Sequence, residues 1–170
     1  NNDLNVLDLG CGNGRWAKVL FKSLNYYVGV DFSSTFIDQA KKHFSNDKIS
    51  FYCLPAQDYK EKRRFDVIFV VGLMTYMNDN EINQMVDNIK SMLKPGGKII
   101  VRNVTVEPND KSRKVYDRKL NFIEKFLGRK RYQLIRRVPD EEINFFSDFT
   151  LVDRGNIKNT GYIYYVFKSD

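Results

Sequence analysis

Three glycines at alternate positions, Gly10, Gly12 and Gly14, follow the apolar run Val6-Leu7-Asp8-Leu9 and lead into Arg15 and Trp16. The pattern is a strand that enters a glycine-dense turn and then a helix. Glycine admits positive φ and lets a backbone approach a ligand with no Cβ in the way, while the N–H groups opening a helix point at the same spot. Such a turn suits the holding of a nucleotide-like ligand. Asp8, at the carboxyl end of the strand, stands where it can accept a hydrogen bond from a ligand amine. Dinucleotide-binding folds carry G-x-G-x-x-G at this place, so the glycines alone do not decide the ligand. Here position 15 is arginine where that pattern wants glycine or alanine, and the acid precedes the glycines.

Three further segments follow in order: Val28-Gly29-Val30-Asp31-Phe32-Ser33, Phe65-Asp66-Val67-Ile68-Phe69-Val70 and Leu93-Lys94-Pro95-Gly96-Gly97-Lys98-Ile99-Ile100-Val101. Together with the acidic-x-Gly-x-Gly-x-Gly turn they make the chain resemble the class I S-adenosylmethionine-dependent methyltransferases. The resemblance implies an α/β fold, a Rossmann-like three-layer α/β/α sandwich around a mostly parallel seven-stranded sheet with an antiparallel C-terminal strand. It implies S-adenosyl-L-methionine as cofactor, held by Asp8, Gly10, Cys11, Gly12, Gly14, Arg15, Asp31, Phe32, Ala56, Gln57, Asp58, Val71 and Gly72. In those terms Asp8 takes the amino group of the methionine moiety, and Arg15 either pairs with its carboxylate or is an exposed first-turn residue. Asp31 takes the two ribose hydroxyls, Phe32 packs on adenine or ribose, and Val71 and Gly72 line the methionine. At the adenine end Pro55 stands where many members have an acid. Gln57 or Asp58 substitutes for it, or the contact is through backbone alone.

A sulfonium methyl carbon is already activated, so such a protein mainly aligns an acceptor and excludes water. No nucleophilic side chain is required. An oxygen acceptor usually needs a base, whereas a neutral amine does not. His43, the single histidine, lies in Lys41-Lys42-His43-Phe44, which reads as a solvated helix face. Where many relatives carry a histidine after strand four, this chain has Leu73-Met74-Thr75-Tyr76. Tyr76 is therefore the candidate that positions or deprotonates an acceptor, with Asp117 and Glu107 as weaker candidates.

The acceptor side of the family's site is commonly built after strand five. From Glu107 to Arg137 this chain holds eleven Lys or Arg against four acids, an excess equal to the net charge of +7 for all 170 residues. Concentrated positive charge attracts an anionic acceptor; equally, it is what a solvated helix face with Leu120, Ile123 and Leu127 turned inward would show. Arginine binds phosphate or carboxylate with a two-pronged fork, which singles out Arg102, Arg118, Arg136 and Arg137. Tyr116 and Tyr132 can stack on a sugar or base. The expected acceptor-side residues are thus Arg102, Tyr116, Arg118 and Arg136, and no metal is expected.

The elements that must position these residues alternate. Strands are expected near Val6–Leu9, Tyr26–Asp31, Ile49–Leu54, Phe65–Val71, Lys98–Val104, Phe149–Arg154 and Tyr162–Phe167. Helical spacing appears in Trp16, Val19, Leu20 and Leu24; in Phe36, Ile37, Ala40 and Phe44 after a cap at Ser33 or Ser34; and in Ile82, Met85, Val86, Ile89, Met92 and Leu93 after a cap at Asp79. Pro139-Asp140-Glu141-Glu142 opens a short last helix. Strands alternating with helices indicate a parallel sheet covered on both faces.

With 42% apolar residues the chain can bury a sizeable core, and no run approaches the ~18 apolar residues of a membrane span. Cys11 and Cys53 have no metal-ligand spacing and read as small buried residues of a reducing compartment. The expectation is one cytoplasmic domain, 1–170, with 107–137 as a basic acceptor-side insertion and without the helical lid segment that family members carry ahead of strand one. The favoured acceptor is an anionic small molecule such as a nucleotide-linked or phosphorylated sugar. Two alternatives stand beside it. One is a protein N-terminal or RNA methyltransferase, although the Trp and His of the former and the Asn/Asp-Pro-Pro-aromatic motif of the latter are missing. The other is a non-catalytic, methyltransferase-like scaffold.

Overall fold

The computed structural model describes residues 3–44, 46–106, 116–117, 133–158 and 160–170. Apolar residues alternate along the strands, and period 2 sends them to opposite faces. Leu7, Leu9, Val28, Val30, Ile68, Val70, Ile99 and Val101 enter one buried cluster; Val6, Tyr27, Phe69, Val67 and Ile100 join a second. Both faces of the sheet are therefore covered, as a parallel sheet requires.

The parallel strands are β1 (Leu4–Leu9), β2 (Leu24–Asp31), β3 (Ile49–Cys53), β4 (Phe65–Val71) and β5 (Leu93–Val104). Two more, β8 (Thr150–Ile157) and β9 (Tyr162–Lys168), pair antiparallel with each other, and β9 also lies antiparallel to β5. Among the described residues these seven form one sheet in the order β3-β2-β1-β4-β5-β9-β8. This is the three-layer, mostly parallel α/β architecture the sequence leads one to expect, with β9 as the reversed strand. Two short strands, β6 (Tyr116–Asp117) and β7 (Gln133–Leu134), pair separately.

Helices α1 (Arg15–Leu20) and α2 (Ser34–His43) cover the second cluster through Ala17, Ile37 and Ala40. Helix α3 (Asp79–Met92) covers the first, burying Ile82, Met85, Val86, Ile89 and Met92, each worth ~1.5–3 kcal/mol. Helix α4 (Pro139–Asn144) opens on its proline. The crossover from β3 to β4 makes β1 and β4 the topological switch point, where ligands lie beyond the carboxyl ends of the strands.

Several local expectations change. Helix α1 ends at Leu20, Leu24 opens β2, and Val19 is 64% exposed, because the helix is too short to carry a full apolar stripe. Phe36 is exposed rather than buried, and so is Cys53. Asn78, not Asp79, caps α3: its side chain accepts from Glu81 N–H at 3.0 Å, and Glu81 returns a bond to Asn78 N–H at 2.8 Å. Pro95-Gly96-Gly97 does not end α3 but forms an irregularity inside β5, between the pairs Leu93–Phe65 and Lys98–Val67.

Candidate functional site

The glycine turn is stitched to β2: Gly10 N–H and Cys11 N–H both donate to the Val30 carbonyl, at 2.8 and 3.0 Å. Gly14 caps α1 at φ +82°, and a Cβ there would meet Phe51 Cζ at 2.9 Å, so this glycine is demanded by packing. Gly12 differs. Its φ is +53° and among the described residues no atom lies within 4 Å of where its Cβ would be. The space left by the missing side chain belongs to a cavity of about 330 Å³, within the ~300–1,000 Å³ usual for ligand sites.

Asp31, at the end of β2, borders that cavity. Its Oδ2 accepts Gly12 N–H at 3.0 Å and its Oδ1 accepts Ser33 N–H at 2.9 Å. Two backbone donors thus fix the carboxylate, and each oxygen keeps a lone pair for a ligand hydroxyl. Gly10, Phe32, Ala56, Gly72 and Tyr76 stand on the same wall, together with Val30, Phe36 and Leu73. Phe32, Phe36 and Tyr76 are all partly exposed there, giving the mouth an aromatic rim. The three rings come from α2, its preceding loop and the turn after β4.

Asp8 is 1% exposed and stands apart from this wall. Its Oδ2 accepts the Tyr27 hydroxyl at 2.5 Å, while Oδ1 has no partner among the described residues. Burial pushes its pKa up to about 7; the Tyr27 hydrogen bond opposes the rise and the nearby Asp31 charge adds to it. Asp8 thus keeps one buried oxygen without a partner among the described residues. Its neighbour Tyr27 is a residue that sequence reasoning missed. The register offers a signal, since Asp8 faces Gly29, which contributes no side chain, and Tyr27 lies beside Val6 on the same face.

Of the other residues singled out, Cys11 is buried, with its thiol pushed up chiefly by burial, and Arg15 is exposed on the first turn of α1. Gln57 and Asp58 meet α3 instead of the cavity: Asn88 Nδ2 donates to the Gln57 carbonyl at 2.8 Å and Gln84 Nε2 to Asp58 at 3.4 Å. Val71 ends β4 immediately before Gly72. Arg102 lies over the Tyr162 ring at 4.7 Å, and its buried Nε has no partner among the described residues. Arg136 borders a second groove, of about 490 Å³, with Asp79, Asn83 and Glu141. His43 is exposed, its Nδ1 2.6 Å from the Gln39 carbonyl. Tyr116 is described in its backbone alone; Arg118 lies outside the described residues, as do Glu107 and Tyr132.

Arg137, read as an anion ligand, has another role: it is 4% exposed and its guanidinium is taken by Met74, Met77 and Asp79. Next to it Glu142 is buried, pushed up to about 8 by desolvation against the opposing influences of Asn103, Arg137 and Tyr165.

The carboxylate, the open glycine and the switch-point cavity are the arrangement that a nucleoside-bearing cofactor needs. A family model of the methyltransferase domain matches residues 6–97. The chain belongs to the class I S-adenosylmethionine-dependent methyltransferase family. Among its methyltransferase relatives, a ubiquinone biosynthesis O-methyltransferase of Coxiella burnetii is 33% identical over 102 residues, which is 58% of this chain and 43% of that protein. Phosphoethanolamine N-methyltransferase 1 of Triticum aestivum is 32% identical over 117 residues, 65% of this chain and 23% of the relative. The chain thus spans less than half the length of these relatives. In fold it is similar to an S-adenosylmethionine-dependent methyltransferase of Mesorhizobium loti, with a TM-score of 0.77 at 15% identity over 98% of this chain and 91% of the other. The N-methyltransferase NodS of Bradyrhizobium japonicum, in complex with S-adenosyl-L-homocysteine, gives 0.71 at 18% identity over 98% and 79%. No helix among the described residues is long and apolar enough to cross a membrane.

Proposed function

We propose that this methyltransferase domain binds S-adenosylmethionine in the switch-point cavity and methylates an oxygen or nitrogen of an anionic small molecule, such as a nucleotide-linked or phosphorylated sugar. The observation that carries the cofactor half is Asp31, held by Gly12 N–H and Ser33 N–H on the wall of a cavity that Gly12 leaves open. Asp31 accepts the ribose hydroxyls; Phe32 and Ala56 flank the adenine; Gly72 borders the methionine; Asp8 offers a carboxylate to the ammonium. Arg15 stays a candidate for the cofactor carboxylate and Val71 for the methionine, while Gln57 and Asp58, turned to α3, are not assigned to the cofactor.

The bound cofactor supplies an activated methyl group, and what remains for the protein is alignment and dryness. The aromatic rim of Phe32, Phe36 and Tyr76 excludes water at the mouth. Tyr76 Oη orients the acceptor by a hydrogen bond, and where the acceptor is a hydroxyl its proton passes to water as the oxygen takes the methyl group. Replacing Tyr76 by Phe should lower turnover with little change in cofactor affinity, read by steady-state kinetics beside a binding titration.

The acceptor half rests on charge. The excess of +7 over residues 107–137, Arg136 among them, equals that of the whole chain, and Arg102 lies shortly ahead of the segment. Relatives are named for phosphoethanolamine and for tRNA U34, both phosphate-bearing acceptors. Labelled methyl transfer should be tested against sugar phosphates, nucleotide sugars, peptides and tRNA. Transfer to a phosphorylated small molecule is the expected result; transfer to tRNA alone, or to peptides alone, would replace this acceptor class.

A further inference from the structure

Strand β5 ends at Val104, and two residues on Val106 N–H donates to the Arg137 carbonyl at 3.2 Å, joining the end of β5 to the chain ahead of α4. That chain also docks on the turn after β4, with Ile135 N–H donating to the Thr75 carbonyl at 2.7 Å. The Arg137 side chain completes the junction. Nη1 donates to the Met74 carbonyl at 2.9 Å, and Nη2 to the Met77 carbonyl at 2.9 Å and to Asp79 Oδ1 at 2.6 Å. The ring of Phe145 lies under the guanidinium at 5.4 Å.

The Ile135 bond and the three bonds of the Arg137 guanidinium fall on the stretch from Met74 to Asp79, which contains the 3₁₀ turn Met74–Tyr76. Such a turn is short, with only Tyr76 N–H to the Leu73 carbonyl at 2.9 Å and Met77 N–H to the Met74 carbonyl at 3.1 Å closing it. Arg137 adds a hold from outside, and a planar fork can reach two carbonyls and a carboxylate at once where an ammonium cannot. The side chains the turn presents to the cavity are Leu73, at its start, and Tyr76, at its end.

We propose that Arg137 is a positioning residue that sets Leu73 and Tyr76 on the cavity wall, so that one buried guanidinium on the chain leading into α4 holds a side of the cofactor cavity in place. This rests on the reading of that cavity as the cofactor site. Arg137 touches neither acceptor nor cofactor; it acts through the turn.

Arg137→Lys tests it, with Asp79→Ala as the milder variant, since the Asp79 side chain is 71% exposed. Hydrogen exchange over residues 72–77 reads the clamp, calorimetric titration with S-adenosyl-L-homocysteine reads the cavity, and the melting temperature reads stability. Faster exchange in that peptide and about tenfold weaker binding by folded Arg137→Lys, roughly the loss of one charge-assisted hydrogen bond, are expected. Asp79→Ala should move both in the same direction by less. A lowered melting temperature with unchanged exchange and unchanged affinity would make Arg137 merely structural and overturn the proposal. So would faster exchange with wild-type affinity, because the turn would then be uncoupled from the cavity. If the wild-type protein itself bound no S-adenosyl-L-homocysteine, the cofactor reading would fall, a failure told apart from that of the clamp by the exchange rates.

Discussion

Two buried carboxyls, Asp8 and Glu142, should make the stability of this chain depend on pH. Burial raises Asp8 from 3.8 to about 7 and Glu142 from 4.5 to about 8. In the unfolded chain both ionise near their ordinary values, whereas folded they hold their protons longer. The stability they contribute is fully present below the unfolded values and is lost as pH rises through the folded ones. Unfolding free energy should therefore fall between about pH 4.5 and 8, by up to ~1.4 kcal/mol per pH unit for each group. Urea titrations should show that fall, flattened by Asp8→Asn and by Glu142→Gln; a rise in stability over the same window would contradict the assignment. Ligand binding has the opposite sign. An ammonium beside Asp8 favours the carboxylate, so S-adenosylmethionine should bind more tightly as pH rises toward about 7, by up to about tenfold per unit, and level off above that value, and Asp8→Asn should abolish the slope. An unchanged slope in that variant would remove Asp8 from the site.

The glycine turn and the helices show what one sequence makes legible. Gly12→Ala should fold, at a cost of ~1–2 kcal/mol for a left-handed residue, yet lose cofactor binding, because its Cβ enters open space. Gly14→Ala should cost more stability, since its Cβ also meets Phe51 at 2.9 Å. Thermal melts paired with binding titrations separate the two, and equal effects at both positions would refute the distinction. Strands β1 to β5 were readable because alternation and β-rich runs are local properties, and Phe65–Val71 is reproduced to the residue. Side-chain destinations were not. Phe36 fits the apolar stripe of α2 yet borders the cavity, Val19 is left exposed by a helix that stops at Leu20, and Arg137 looks like its neighbour Arg136 in sequence although a distant turn consumes its donors. The choice between Asn78 and Asp79 as cap turned on which side chain reaches Glu81 N–H, which spacing leaves open.

Across the molecule, the function we propose divides between a cofactor cavity at the β1/β4 switch point and an acceptor side supplied by the basic residues of 107–137. Phosphorylated acceptors should accordingly lose affinity as salt is raised, because exposed charges further apart than the ~8–10 Å Debye length are screened; a salt-independent KM would place the recognition elsewhere. The chain's membership in the methyltransferase family rests on residues 6–97. The central claim is that Asp31 anchors S-adenosylmethionine in the cavity beside Gly12. It is tested most directly by calorimetric titration of S-adenosyl-L-homocysteine into the wild-type protein and into Asp31→Ala, with melting curves to confirm that both are folded. The account expects binding by the wild type and a loss of about a hundredfold or more in the variant, corresponding to two hydroxyl bonds to a charged acceptor. Equal affinity in the two folded proteins would contradict it.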